Sequence, residues 1–217
     1  IGIEYLIFKF RLNIYAEHFY KISHNLLAVK NSKLTDIKDV YSHAQALSQS
    51  SIFIKNNNLN EQVRADTAGS AKFVSEKNDK SKGAIASSLS AKIYDLEILK
   101  KDIQDNKDNF TRFLLMGKDI LQPENLKKSY ITSFLFKLKS KPAALYSSLQ
   151  GMAINGVNMI KLQSFPEKNS FSSYFFLCEV EGHIDDQKIK NSLEDLNYHC
   201  EDMQVLGIFK ADQFRKK

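Results

Sequence analysis

The sequence predicts an α/β fold built in two parts, on three observations. In the first half, short apolar runs alternate with helix starts marked by Ser, Thr or Asp, with loops of two to six residues between them. The stretch Gly117 to Glu124, GKDILQPE, then breaks the pattern with Gly, Pro and charge and reads as a linker. After it, apolar runs and helical periodicity follow the order strand, helix, strand, strand, helix, strand, which is a ferredoxin-like βαββαβ sandwich.

Taken in order, Asn13 to Val29 has strand-like content with a polar break near Ser23-His24-Asn25. A strand ending near Tyr41 leads into a helix expected over Ala44 to Asn57, with Ala44, Leu47, Ser51 and Ile54 along one face. Asn56-Asn57-Asn58 stops it. Asp66-Thr67 is an N-cap signal for a helix over Ala68 to Lys77. Gly83 to Ala86 is a short buried strand, and Ser87 or Ser88 caps a helix running to about Leu96.

In the second part, Lys128 to Leu138 reads as a strand carrying Ile131, Phe134, Phe136 and Leu138. Pro142 suits the first helical position, with Leu145, Leu149 and Met152 spaced along one face and Gly156 as the stop. Strands are expected at Val157–Leu162, Tyr174–Val180 and Val205–Phe209, and a helix at Asp186–Leu196 with Ile189, Leu193 and Leu196 inward.

Composition narrows the function classes. The 217 residues are 43% hydrophobic and 26% charged, a globular balance. No apolar run reaches the roughly 18 residues of a membrane helix. The opening IGIEYLIFKF carries Glu4 and Lys9 and has no small-residue cleavage site, so it does not read as a signal peptide. The net charge of +6 is scattered, densest at Lys137, Lys139 and Lys141, without the basic stripe and interleaved aromatics of a nucleic-acid binder. Cys178 and Cys200 fit neither a disulfide framework nor a zinc spacing, and point to reduced thiols in a cytoplasmic protein. There is no phosphate loop, dinucleotide glycine pattern, metal-ligand cluster or nucleophile elbow, so cofactor-free and metal-free chemistry is the expectation.

Four stretches could carry chemistry. His43-Ala44-Gln45, Asp66-Thr67-Ala68-Gly69-Ser70 and Ala86-Ser87-Ser88 each place polar groups at a helix start after a strand, where free amides favour carboxylates. Taken singly, each reads as an ordinary N-cap. The fourth is Asp102 to Phe113, DIQDNKDNFTRF, a polar loop running into a strand at Phe113–Met116. It reads either as a solvated turn or as a loop facing a cleft with Thr111 and Arg112 at the strand start.

Together these stretches resemble the prephenate dehydratase family. Asp105, Asn109 and Thr111-Arg112-Phe113 match its Asp-x-x-x-Asn-x-Thr-Arg-Phe signature. His43-Ala44-Gln45-Ala46-Leu47 resembles its His-x-Gln-Ala-Leu box, and Asp66 to Ala71 its Thr-containing helix start. Gly83 to Ser87 and Tyr94-Asp95-Leu96 resemble its Ala-Ala-Ile-Ala-Ser and Tyr-Gly-Leu segments. The second part resembles the family's regulatory ACT domain: Pro142-Ala143-Ala144-Leu145 stands at its Gly-Ala-Leu, and Gln163-Ser164-Phe165-Pro166 at its Glu-Ser-Arg-Pro.

The resemblance implies a two-lobed periplasmic-binding-protein-like catalytic domain over residues 1–118, followed by an ACT domain over 128–217. It implies conversion of prephenate to phenylpyruvate in phenylalanine biosynthesis, with Thr111 hydrogen-bonding the leaving hydroxyl. Arg112, Thr67, Ser87, His43 and Gln45 are the implied substrate contacts, and Phe113 is expected in the core. Ala143, Ala144, Leu145, Asn158 and Gln163 to Pro166 are the implied effector contacts for L-phenylalanine. The exchanges to Ala143, Gln163 and Phe165 remove two charges and add a methyl, and imply weakened effector binding. The chain starts at Ile1, inside what reads as a strand. Ile1-Gly2-Ile3-Glu4 stands where the family has Pro-Ile-Glu-Asn-Ser, and the family's Gly-Pro-x-Gly-Thr-Tyr-Ser matches nothing here. The catalytic domain is therefore expected to be truncated at its front. A homodimer or homotetramer is implied. The alternative is a non-catalytic remnant whose ACT-type unit only dimerises or binds an amino acid.

Overall fold

The computed structural model describes residue 10, residues 12–121, residue 123, residues 128–167 and residues 173–216. The readings placed on Ile1 to Glu4 lie outside these residues. The chain forms two compact units. One is residues 20–111; the other joins the described residues before 20 to those after 111.

The first unit is a five-stranded mixed sheet in the order β4-β3-β5-β2-β6. Its strands are β2 (Asn25–Ala28), β3 (Asp39–Ser42), β4 (Asn60–Val63), β5 (Lys82–Ala86) and β6 (Glu97–Lys100). β3 runs parallel to β4 and β5, while β2 runs antiparallel to β5 and β6. Strand alternation splits the apolar residues between two layers. Leu26, Ala28, Val40 and Ile85 face one layer with Leu47 and Ile54. Leu27, Val29, Ala84 and Ala86 face the other, with Ala71, Val74 and Ala91. These helical residues lie on α1 (Ala44–Ser48), α2 (Ser51–Asn56), α3 (Thr67–Lys77) and α4 (Ser88–Ile93).

The single helix expected over Ala44 to Asn57 is thus two helices. The break has a tertiary cause: the Asp105 carboxylate accepts from the Ser51 hydroxyl (2.9 Å) and the Ile52 amide (3.1 Å), capping a second helix start. Two strands have no counterpart in the periodicity. All four residues of β4 are exposed, and β6 has no fully buried residue, so neither leaves an apolar alternation to read.

The second unit is a four-stranded antiparallel sheet in the order β11-β8-β10-β9. The strands are β8 (Tyr130–Leu138), β9 (Met159–Pro166), β10 (Tyr174–Glu181) and β11 (Cys200–Lys210). Helices α5 (Ala144–Ile154) and α6 (Gln187–His199) pack on one face against Phe134, Phe136, Cys178 and Val180, through Met152, Ile189, Leu193 and Leu196. The other face presents Ile131, Leu135, Phe175, Leu177, Leu206 and Phe209. It is covered by Ile14 of β1 (Asn13–Lys21) and by Leu114 and Met116 of β7 (Phe110–Gly117). β1 and β7 pair as a two-stranded ribbon. At Gly207 β1 comes so close that a Cβ would overlap the Ile14 carbonyl, so only glycine fits.

Two further expectations change. Pro142 precedes α5 in a turn, and the N-cap is Ala143, whose φ of 58° is left-handed, a conformation costly for a residue with a Cβ. β7 begins at Phe110, not Phe113, and Phe113 is 55% exposed instead of buried. The reason is register: Leu114 and Met116 take the sheet-facing positions of β7, so Phe113 and Leu115 point the other way.

Candidate active site

A concentration of polar residues lies at one sheet edge within the first unit. There the carboxyl ends of β3, β4 and β5 each lead directly into a helix, an arrangement that gathers helix N-termini in open α/β sheets. His43, after β3, accepts the Gln45 amide on Nδ1 (3.2 Å) and caps α1. Asp66, after β4, accepts the Gly69 amide and caps α3. Ser87, after β5, accepts the Ser90 amide on Oγ (3.2 Å) and caps α4. The three turns border a cleft of about 470 Å³.

The signature loop supplies the remaining wall. The Asn109 side-chain amide donates to Gln49 Oε1 (3.1 Å), and the Asn109 carbonyl accepts the Ile22 amide (2.9 Å). Asp105 also anchors the loop through its amide, which donates to the Gln49 carbonyl (2.7 Å). Asp105 and Asn109 are therefore braces rather than reacting groups. They deliver Phe110 and Thr111 to the cleft rim, where the Thr111 hydroxyl is exposed and has no hydrogen-bond partner among the described residues.

Of the residues singled out in the sequence, His43, Gln45, Thr67, Ser87 and Thr111 all line this one cleft. Arg112 does not. Its Nε donates to Glu17 (2.8 Å) and its Nη1 to both oxygens of Glu179 (2.9 and 2.8 Å), inside the second unit. Sequence reasoning missed His24 and Gln49. Buried His24 approaches Gln49 Oε1 through Nε2 (2.9 Å), and its backbone is held by Gln104 and Ile103. The polar break at Ser23-His24-Asn25 was the available signal, since a histidine between apolar strands needs a partner.

The cleft's electrostatics come from dipoles and hydroxyls. Among its described lining residues Asp66 carries the only carboxyl side chain, and no lysine or arginine takes part. The eleven-residue α3 directs its positive end and its first amides at the cleft, beside Thr67. No group of three metal-ligating side chains is found among the described residues.

The effector positions fall elsewhere, in the second unit. Ala143, Ala144 and Leu145 border a separate cavity of about 470 Å³ with Lys137, Lys139 and Lys141. Gln163 to Pro166 lie on edge strand β9, and Asn158 donates to Glu181 (2.8 Å); none of these five lines that cavity. Phe165 stacks on Phe175, 6.1 Å between centroids, in the layer under the ribbon.

The family model described as prephenate dehydratase matches residues 3–120. A bifunctional N-acyl-homoserine lactone acylase/prephenate dehydratase of Komagataeibacter europaeus is 36% identical over 95% of this chain and 73% of its own length. The prephenate dehydratase of Methanocaldococcus jannaschii is 35% identical over 93% of this chain and 73% of its own. The crystal structure of a prephenate dehydratase from Arthrobacter aurescens in complex with L-Phe superposes with a TM-score of 0.84, at 28% identity, over 92% of this chain and 66% of that one. Across the curated relatives the chain spans between about half and three-quarters of their length, from 52% to 73%. With five signature residues on one cleft and more than half of its length matched by the family model, the chain belongs to the prephenate dehydratase family.

Proposed function

We propose that the cleft is one wall of a prephenate dehydratase active site, with Thr111 as the group that assists the leaving hydroxyl. In this reaction the bond from the ring to its carboxylate breaks and releases carbon dioxide. The bonding electrons enter the ring, and the 4-hydroxyl departs with a proton as water. Aromatisation supplies most of the driving force, so the protein's part is to orient the dianion and stabilise charge on the departing oxygen. The supporting observation is the unpartnered Thr111 hydroxyl, held at the rim by Asn109 and Asp105 and facing the same cleft as the α3 N-terminus. The α3 amides and Thr67, with Ser87 beyond them, suit a substrate carboxylate. His43 keeps its Nδ1 on the Gln45 amide, which leaves Nε2 as its proton-bearing nitrogen.

The same reading assigns residues 1–118 to a two-lobed catalytic domain and 128–217 to an ACT-type regulatory domain that dimerises. The βαββαβ order and the sheet order β11-β8-β10-β9 support the latter. Acylase chemistry, named for the Komagataeibacter relative, is less well supported. Here the cleft imidazoles bond to Gln49 and to the Gln45 amide instead of a serine hydroxyl.

Formation of phenylpyruvate from prephenate, followed by absorbance at neutral pH, tests the assignment. Thr111→Ala should lower the turnover number by about 100-fold, the usual worth of one preorganised donor, and leave the melting temperature unchanged. A variant keeping more than about a tenth of the turnover would remove Thr111 from this role.

A further inference from the structure

Within the second unit, four charged side chains close on one another beneath the ribbon. Glu17 of β1 and Glu179 of β10 have carboxylates 0% and 1% exposed. Arg112 of β7 bridges them. Arg215, on the 3-10 turn Gln213–Lys216, completes the group: its Nε and Nη2 donate to the two oxygens of Glu17 (2.7 and 2.8 Å), and Nη2 lies 3.7 Å from Glu179. The turn itself is tied down. The Asp212 amide donates to Glu17 (2.9 Å), Phe214 stacks on Phe19 at 5.3 Å, and the Arg215 guanidinium lies 5.3 Å above the Phe19 ring.

Charge balance does not by itself explain this cluster. Buried ion pairs often stabilise no more than apolar residues of equal volume, and their best-attested use is to specify one arrangement. Here one donor, Arg112 Nη2, is buried without a hydrogen-bond partner, so the cluster is not optimised for stability. Together with Leu114 and Met116, it holds β7 in one phase. Alternation along a strand sends neighbouring side chains to opposite faces. With Arg112 locked toward Glu17 and Glu179, Thr111 must point the other way.

We propose that Arg215, acting through Glu17 and Arg112, is a positioning residue for Thr111, so that the carboxyl-terminal turn sets the orientation of the reacting hydroxyl. Without Arg215, Glu17 loses two of its four hydrogen bonds, so Arg112, still bonded to Glu179, is left tied on its other side to a carboxylate that is less firmly held. The kinetic consequence rests on the dehydratase reading above; the structural one does not. A mispositioned donor lowers the turnover number more than it changes KM, since the lost contact belongs to the transition state.

The test compares wild type, Arg215→Ala and Arg215→Lys in the full chain, by prephenate turnover and by amide hydrogen exchange. Arg215→Ala should lower the turnover number at least tenfold with KM within about twofold, and Arg215→Lys, which keeps one charged donor, should fall between. Exchange at residues 110–112 should rise about tenfold or more in Arg215→Ala while β8 and β10 stay protected. Unchanged turnover in Arg215→Ala, or a loss carried by KM, overturns the proposal. If the wild type forms no phenylpyruvate, that counts against the dehydratase reading, and exchange decides alone: faster exchange confined to residues 110–112 supports positioning, and unchanged exchange there overturns it.

Discussion

Thr111 and Arg112 are adjacent in one strand and lead opposite lives. The threonine hydroxyl stands exposed at a cleft rim with no partner among the described residues, while the arginine is locked between two carboxylates. The same contrast separates the two regions they belong to. At the edge of the five-stranded sheet, polar side chains are used on backbone amides and leave the cleft open and weakly charged. Under the ribbon, each of two buried carboxylates meets a partly buried guanidinium. A reacting donor needs a free face, whereas a strand that must hold one phase needs a neighbour that cannot turn.

The largest way to break the contrast is to remove one side of the buried pair. Glu179→Ala leaves the guanidiniums of Arg112 and Arg215 sharing the single carboxylate of Glu17 and should cost about 3–5 kcal/mol of stability, read from denaturant unfolding, against an unchanged stability for Thr111→Ala. A loss below about 1 kcal/mol would mean that the cluster is solvated and behaves as a surface pair.

Acid probes the same cluster more gently. Burial raises the Glu17 carboxyl, but hydrogen bonds from Arg215 and the Asp212 amide and the charges of Arg112 and Arg215 outweigh it, leaving Glu17 below its ordinary value of 4.5. A depressed carboxylate contributes stability that is present above its unfolded value and lost as pH falls through the folded one. Stability should therefore fall as pH drops below about 4.5, and Glu17→Gln should flatten that part of the profile. An unchanged acid limb in Glu17→Gln would show that other carboxylates govern it.

The smallest effect sharpens the comparison at a third place, the start of α5. Ala143 holds a left-handed backbone, so Ala143→Gly should stabilise the protein by about 1 kcal/mol, raising its melting temperature by a few degrees. Calorimetry of the unmodified chain should show no micromolar binding of L-phenylalanine, because Gln163 and Phe165 lack the motif's charges and Phe165 is committed to stacking on Phe175. Tight binding would restore the effector role to these positions.

Local chemistry made most of the cleft legible in advance. The N-caps at Asp66 and Ser87 depend on residues a few positions apart and stand where the sequence placed them; of the signature from Asp105 to Phe113, Thr111 faces the cleft, while Arg112 and Phe113 do not take their expected places. Buried strands β2, β5 and β8 and the inward faces of α5 and α6 followed from apolar runs and helical spacing. The resemblance of the motifs named the family, which the comparisons show.

What the sequence alone could not determine depends on partners far along the chain. The break between α1 and α2 needs Asp105, more than fifty positions away. The direction of Arg112 is decided by Glu17, Glu179 and Arg215, which no spacing rule connects. Phe113 faces out and Leu114 faces in because the ribbon lies on one sheet in one register. Strands β4 and β6 exist through backbone pairing with β3 and β2, an interaction that leaves no trace in side-chain hydrophobicity. Sequence reports what a residue prefers locally; only the folded sheet decides which of its two faces that residue meets.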